Sequence, residues 1–85
     1  MAEVTIFTTS FCPYCVRAKR LLDHKGVVYR EIDVSSDDEL RERMVAESGR
    51  RTVPQIFIAG RPIGGFDELQ GLEASGELDG LLEDL

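Results

Sequence analysis

The spacing of apolar residues changes several times along the chain, and each change marks an element. Val4-Thr5-Ile6-Phe7-Thr8 is dense in β-branched and aromatic residues and reads as a buried central strand, ending at Thr9-Ser10-Phe11. Cys15, Ala18, Leu21 and Leu22 then recur at three- and four-residue steps. With Pro13 suited to a first helical position, where its missing N–H is not needed, they predict a helix running to a stop at Gly26. Val27 to Asp33 reads as a second strand. Ser36-Asp37-Asp38-Glu39 has the spacing of a capping box, which predicts a helix opening there and passing Met44 toward Gly49. Gln55 to Ile58 predicts a third strand, and Ala59-Gly60 turns it into a fourth at Arg61 to Gly64. Pro62 cannot donate to a ladder on both sides, so that last strand belongs at a sheet edge. Leu69, Leu72, Leu78, Leu81 and Leu82 sit at helical spacings, and Ser75-Gly76 divides them between two helices packed on the sheet.

This order begins β-α-β-α, and a right-handed crossover places the first two strands parallel in one sheet. With 85 residues and 42% hydrophobic content, one domain spanning 1–85 and one modest core are expected. No apolar run approaches the roughly 18 residues of a membrane span, and the start lacks the basic-then-apolar layout of a secretory leader. A cytoplasmic protein with no membrane partner is therefore expected. The net charge of -6 argues against nucleic acid, whose phosphates need a basic stripe. The charge is uneven: residues 1–65 hold ten basic and nine acidic side chains, whereas residues 66–85 hold seven acidic and no basic ones. The acidic stretch reads as a solvated face, and only the first part of the chain readily receives an anion.

The two cysteines, Cys12 and Cys15, are too close to staple a small fold and too few for a structural zinc site, so no metal site is expected. Redox chemistry is the better use. A strand running into Cys12-Pro13-Tyr14-Cys15 and then a helix puts Cys12 at a helix N-terminus, where unpaired N–H groups and the macrodipole favour an anion. Such a setting lowers a thiol pKa from about 8.5 into a range of roughly 3.5 to 7.5. Cys12 is then the nucleophile. Cys15, one turn deeper, is placed to resolve a mixed disulfide on it. A pair of inert buried cysteines is the bland alternative.

Cys12-Pro13-Tyr14-Cys15 resembles the active-site tetrapeptide of dithiol glutaredoxins. Thr52-Val53-Pro54 is similar to that family's Thr-Val-Pro loop, and Gly64-Gly65-Phe66-Asp67 to its Gly-Gly-X-Asp turn, so the resemblance covers the chain. It implies an α/β thioredoxin-like fold: a four-stranded mixed sheet flanked by helices, its first two strands parallel and its last two antiparallel. It further implies glutathione as co-substrate, no tightly bound cofactor, and a monomer whose partners are glutathione and glutathionylated or disulfide-containing proteins.

The resemblance also assigns the binding residues. Pro54 is the family's cis-proline facing the cysteines, leaving the Val53 backbone to pair with the tripeptide as an added strand does. Arg51, with Arg50 as a second candidate, faces the glycine carboxylate, and Thr52 belongs to the same loop. The Phe66 and Asp67 N–H groups beside Gly65 hold the γ-glutamyl carboxylate, the Asp67 side chain takes the ammonium, and Tyr14 flanks the sulfur arm. Seen singly, the arginines are ordinary loop charges and Asp67 an ordinary helix-start residue. His24, near the end of the first helix, reads as a favourable C-terminal cation or a neutral surface residue. Thr9 stands where many dithiol members have a lysine, and Phe66 where some carry a further cysteine. Two other readings stay open: an electron donor fed by thioredoxin reductase, and an iron–sulfur carrier using Cys12 and glutathione.

Overall fold

The computed structural model describes residues 2–83. Its elements run β1 (Val4–Thr8), α1 (Pro13–His24), β2 (Tyr29–Asp33), α2 (Asp38–Ser48), β3 (Gln55–Ile58), β4 (Arg61–Gly64), α3 (Phe66–Ser75) and α4 (Glu77–Leu82). The strands form one sheet in the order β2-β1-β3-β4. β1 runs parallel to β2 and antiparallel to β3, and β3 antiparallel to β4. β1 is thus interior, and Pro62 lies on an edge strand, as its chemistry requires.

Side chains alternate across the sheet and divide the core in two. Val4 and Ile6 of β1, with Ile56 and Ile58 of β3, face Ala18 and Leu22 of α1, Leu69 of α3 and Leu78 and Leu82 of α4. On the opposite face Phe7, Val34 and Phe57 meet Met44 of α2. The Phe7 and Phe57 rings pack edge to face with centroids 5.6 Å apart. Truncating a fully buried residue such as Leu22 to alanine costs about 2–5 kcal/mol by lost transfer energy and the cavity left behind.

Two boundaries differ from the pattern. Val27-Val28 reads as strand, yet β2 starts at Tyr29: the Val27 N–H donates to the Leu22 carbonyl at 3.1 Å, closing the end of α1, and Val28 points to solvent. The cap of α2 is Asp37 and not Ser36, because the Asp37 carboxylate accepts from the Leu40 N–H at 3.0 Å. Gly76, at φ 82, separates α3 from α4 where Ser75-Gly76 marks the break. The acidic C-terminal stretch is more than a solvated face. The Lys25 ammonium, at the end of α1, pairs with Glu73 at 2.8 Å and Asp79 at 2.7 Å, tying α1 to α3 and α4. Those carboxylates raise the Lys25 pKa, Asp79 more than Glu73.

Candidate active site

The sheet ends its interior strand β1 at Thr8, and a short turn through Phe11 delivers Cys12 to the cap position of α1. Cys12 and Cys15 are joined as a disulfide with Cα atoms 5.2 Å apart, the separation that one turn of helix provides. The Cys15 N–H points at Cys12 Sγ at 3.1 Å, so the sulfur occupies the place of a capping oxygen. Cys15 is buried and Cys12 half-exposed. One sulfur of the pair therefore meets solvent and the other faces the core.

Across from Cys12 lies the loop Thr52-Val53-Pro54, with the Val53–Pro54 bond cis and the Val53 carbonyl oxygen 3.9 Å from Cys12 Sγ. Buried Gln55 secures this loop, its Nε2 donating to the Thr52 carbonyl at 2.9 Å and to Thr52 Oγ1 at 3.1 Å. The third wall is the start of α3. Gly65 caps it, and a Cβ on Gly65 would stand 3.3 Å from the Pro54 carbonyl oxygen, so only glycine lets helix and loop approach this closely without displacing one of them. The Glu68 carboxylate accepts from the Gly65 N–H at 2.8 Å and from the Arg50 guanidinium. These bonds, the Gly65 one foremost, hold the Glu68 carboxyl below the usual carboxylate range.

Together these walls enclose a shallow groove of about 180 Å³. Of the binding residues expected from the sequence, Tyr14, Thr52, Val53, Pro54, Gly65, Phe66 and Asp67 line it. Arg51 does not: it is exposed, its guanidinium 3.4 Å from Glu42 of α2, while neighbouring Arg50 lines the groove. The Tyr14 and Phe66 rings stand with centroids 6.2 Å apart, and the Arg17 guanidinium lies 5.2 Å over the Tyr14 ring. Sequence reasoning missed Glu68 and Gln55. Glu68 was accessible as the third residue after the Gly65 cap, the spacing of a capping carboxylate, whereas Gln55 carried no signal beyond being polar in an apolar strand.

The sequence model of the Glutaredoxin family matches residues 4–63. The chain belongs to the glutaredoxin family. It is 52% identical over 83 residues to Glutaredoxin 3 of Escherichia coli (strain K12), covering 98% of this chain and 100% of that protein. Against the glutaredoxin of Pseudomonas aeruginosa it is 49% identical over 82 residues, covering 96% and 98%. Among solved structures it resembles the glutaredoxin of Brucella melitensis, with TM-score 0.86 and 52% identity over 96% of this chain and 89% of that one. It also resembles a buckwheat glutaredoxin–glutathione complex, with TM-score 0.87 and 34% identity over 95% of this chain and 76% of that one. The α/β sheet with flanking helices is thus the thioredoxin-like fold of glutaredoxins, and the chain is a thiol–disulfide oxidoreductase with a dithiol active site. Among the described residues no helix is long and apolar enough to cross a membrane.

Proposed function

We propose that this single glutaredoxin domain, spanning 1–85 and acting as a cytoplasmic monomer, reduces glutathione mixed disulfides and protein disulfides with electrons from glutathione. The observation that carries the reading is a groove that reaches Val53, whose carbonyl lies 3.9 Å from Cys12 Sγ, and whose donors and acceptors match the ends of that tripeptide. The first-turn N–H groups of Phe66 and Asp67 have no intrahelical carbonyl to meet and suit the γ-glutamyl carboxylate. The Asp67 side chain suits the ammonium beside it. Arg50 already lines the groove for the glycine carboxylate, and Arg51 reaches it by leaving Glu42, a long exposed contact of little energetic weight. Val53 offers its backbone as a strand edge does, beside Thr52 and Pro54, and Gly65 keeps the two walls close. Tyr14 flanks the sulfur arm.

Reduced Cys12 is the nucleophile because the α1 N-terminus and the Cys15 N–H favour its anion. Its thiolate attacks the glutathione sulfur of a mixed disulfide, and the client leaves as a thiolate that takes a proton from water. A second glutathione thiolate then attacks the sulfur bonded to Cys12, giving oxidised glutathione and free Cys12. On a protein disulfide, Cys15 resolves the first adduct, and two glutathiones reduce the resulting internal disulfide. Turnover of a small glutathione mixed disulfide, coupled to glutathione reductase, tests this: Cys12→Ser abolishes it and Cys15→Ser retains it. A Cys15→Ser protein without deglutathionylating activity overturns the division of labour.

A further inference from the structure

The groove between Tyr14, the Thr52–Pro54 loop and the start of α3 lies beside Cys12, whereas a second groove is lined by Cys12 itself. The second, of about 500 Å³, runs from the turn before α1 across Cys12 to edge strand β2, on the face of the sheet that α1 covers. Phe11 and Val16 form its near bank, and Lys19, Glu31 and Asp33 its far one. Phe11 is held at φ 58, a left-handed conformation unfavourable for a side chain with a β-carbon, and its ring is wholly in solvent at 102% exposure. Val16 is also exposed. The chain gains nothing for its own core from either placement.

The far bank is charged unequally. Lys19 Nζ lies 3.0 Å from Glu31, which also accepts from the buried Thr8 hydroxyl at 2.8 Å, so this carboxylate is neutralised within the chain. Asp33 accepts instead from the Ser35 N–H at 2.8 Å, and no cation pairs with it among the described residues. The Ser35 hydroxyl and N–H hold the Asp33 carboxyl below the usual range, so it is an anion at neutral pH. The groove therefore offers apolar surface near the sulfur and a negative charge at its far side.

We propose that this second groove docks an extended segment of a disulfide-bearing protein client, an apolar side chain next to the client's cysteine covering Phe11 and Val16, and a Lys or Arg farther along meeting Asp33. The inference rests on Cys12 as nucleophile. In the protein-disulfide route Cys12 thiolate bonds to one client sulfur, and the other leaves as a thiolate and is protonated by water. Cys15 thiolate then displaces the first client sulfur, which is protonated in turn, so two electrons pass to the client and the Cys12–Cys15 disulfide forms. That displacement needs three sulfurs nearly in line. With Cys15 buried behind Cys12, the client sulfur sits on the solvent side and its chain leaves along one of the two grooves. The first groove is keyed to a small peptide with two carboxylates. The second repels carboxylates through Asp33 and suits a basic, partly apolar polypeptide.

Single-turnover reduction of two cyclic disulfide peptides by the pre-reduced protein tests the inference without glutathione. One peptide carries Phe beside its cysteine and Arg beyond, the other Ser and Glu. The wild type is expected to reduce the first about tenfold faster, the scale of burying part of one aromatic ring. Phe11→Ser removes most of that preference, and Asp33→Asn removes the part due to Arg. Both variants retain wild-type turnover of the mixed disulfide of glutathione and β-mercaptoethanol. Equal wild-type rates on the two peptides overturn the proposal. So does an equal loss on the small mixed disulfide, which assigns Phe11 to placing Cys12, or a wild-type dimer in solution that Phe11→Ser makes monomeric. A wild type that discriminates between the peptides but fails on the small mixed disulfide overturns the glutathione reading and leaves the docking groove standing.

Discussion

Glu68 reaches back over the first turn of α3 to accept the Gly65 N–H at 2.8 Å, and the same carboxylate oxygen holds Arg50 at the edge of the groove. One side chain thus closes the helix start and holds an arginine at the groove.

Because both bonds favour the charged form, the Glu68 pKa lies lower in the folded chain than in the unfolded one. The stabilisation is present above the unfolded value, about 4.5, and is lost as pH falls through the lower folded value. Glu68→Gln should therefore lower stability at pH 7 by no more than about 1 kcal/mol, since the side chain is 40% exposed and solvent screens the pair. Urea unfolding of both proteins at pH 7 and in acid checks this, with the difference shrinking below about pH 4.

Gln55 links the sheet to the loop beside Cys12. Replacing it with leucine keeps the volume and removes both bonds to Thr52, at a cost of about 1 kcal/mol, because exposed Thr52 recovers water. The loop is left loose, so KM for a glutathione mixed disulfide should rise more than kcat falls. Steady-state kinetics separate the two effects.

The paired glycines before α3 should respond differently to alanine. Gly64 sits at φ 117, and an added Cβ meets Glu68 Oε1 at 2.5 Å, so Gly64→Ala should cost about 1–3 kcal/mol in thermal or urea unfolding. Gly65 has no such backbone demand, and its Cβ meets the Pro54 carbonyl tightly, at 3.3 Å, and Glu68 Oε1 at an ordinary 3.7 Å. Gly65→Ala should cost less stability while raising KM, since it pushes apart the two walls of the groove.

Most of the fold is legible because each element states its period and its stop. β1 is dense in β-branched and aromatic residues, α1 repeats at three and four residues between Pro13 and Gly26, and Pro62 names its strand as an edge. Local ambiguity caused the errors of boundary. Val27 and Val28 have strand chemistry, but the backbone of Val27 is used by the end of α1, and Ser36 and Asp37 are both competent caps. At the site, the motif residues are legible and their partners are not. Arg50 and Arg51 are neighbours in sequence, and only packing against α2 and α3 decides that the first lines the groove while the second turns to Glu42. Glu68 meets Gly65 at the local spacing of a cap, but its bond to Arg50 joins two separate elements, which no local pattern encodes, and the bonds of Gln55 to Thr52 depend on how the loop between them turns.

The outer strand at Arg61–Gly64 has a wider consequence. It is four residues long, slips register opposite Ile56 and Phe57, contains a proline and ends at a glycine in a conformation that extended chains avoid. Another polypeptide approaching that border finds no regular row of donors to copy. This flank of the sheet thereby gives a chain that comes near the reactive sulfur nowhere to add as a further strand, and a passing encounter is not converted into accretion.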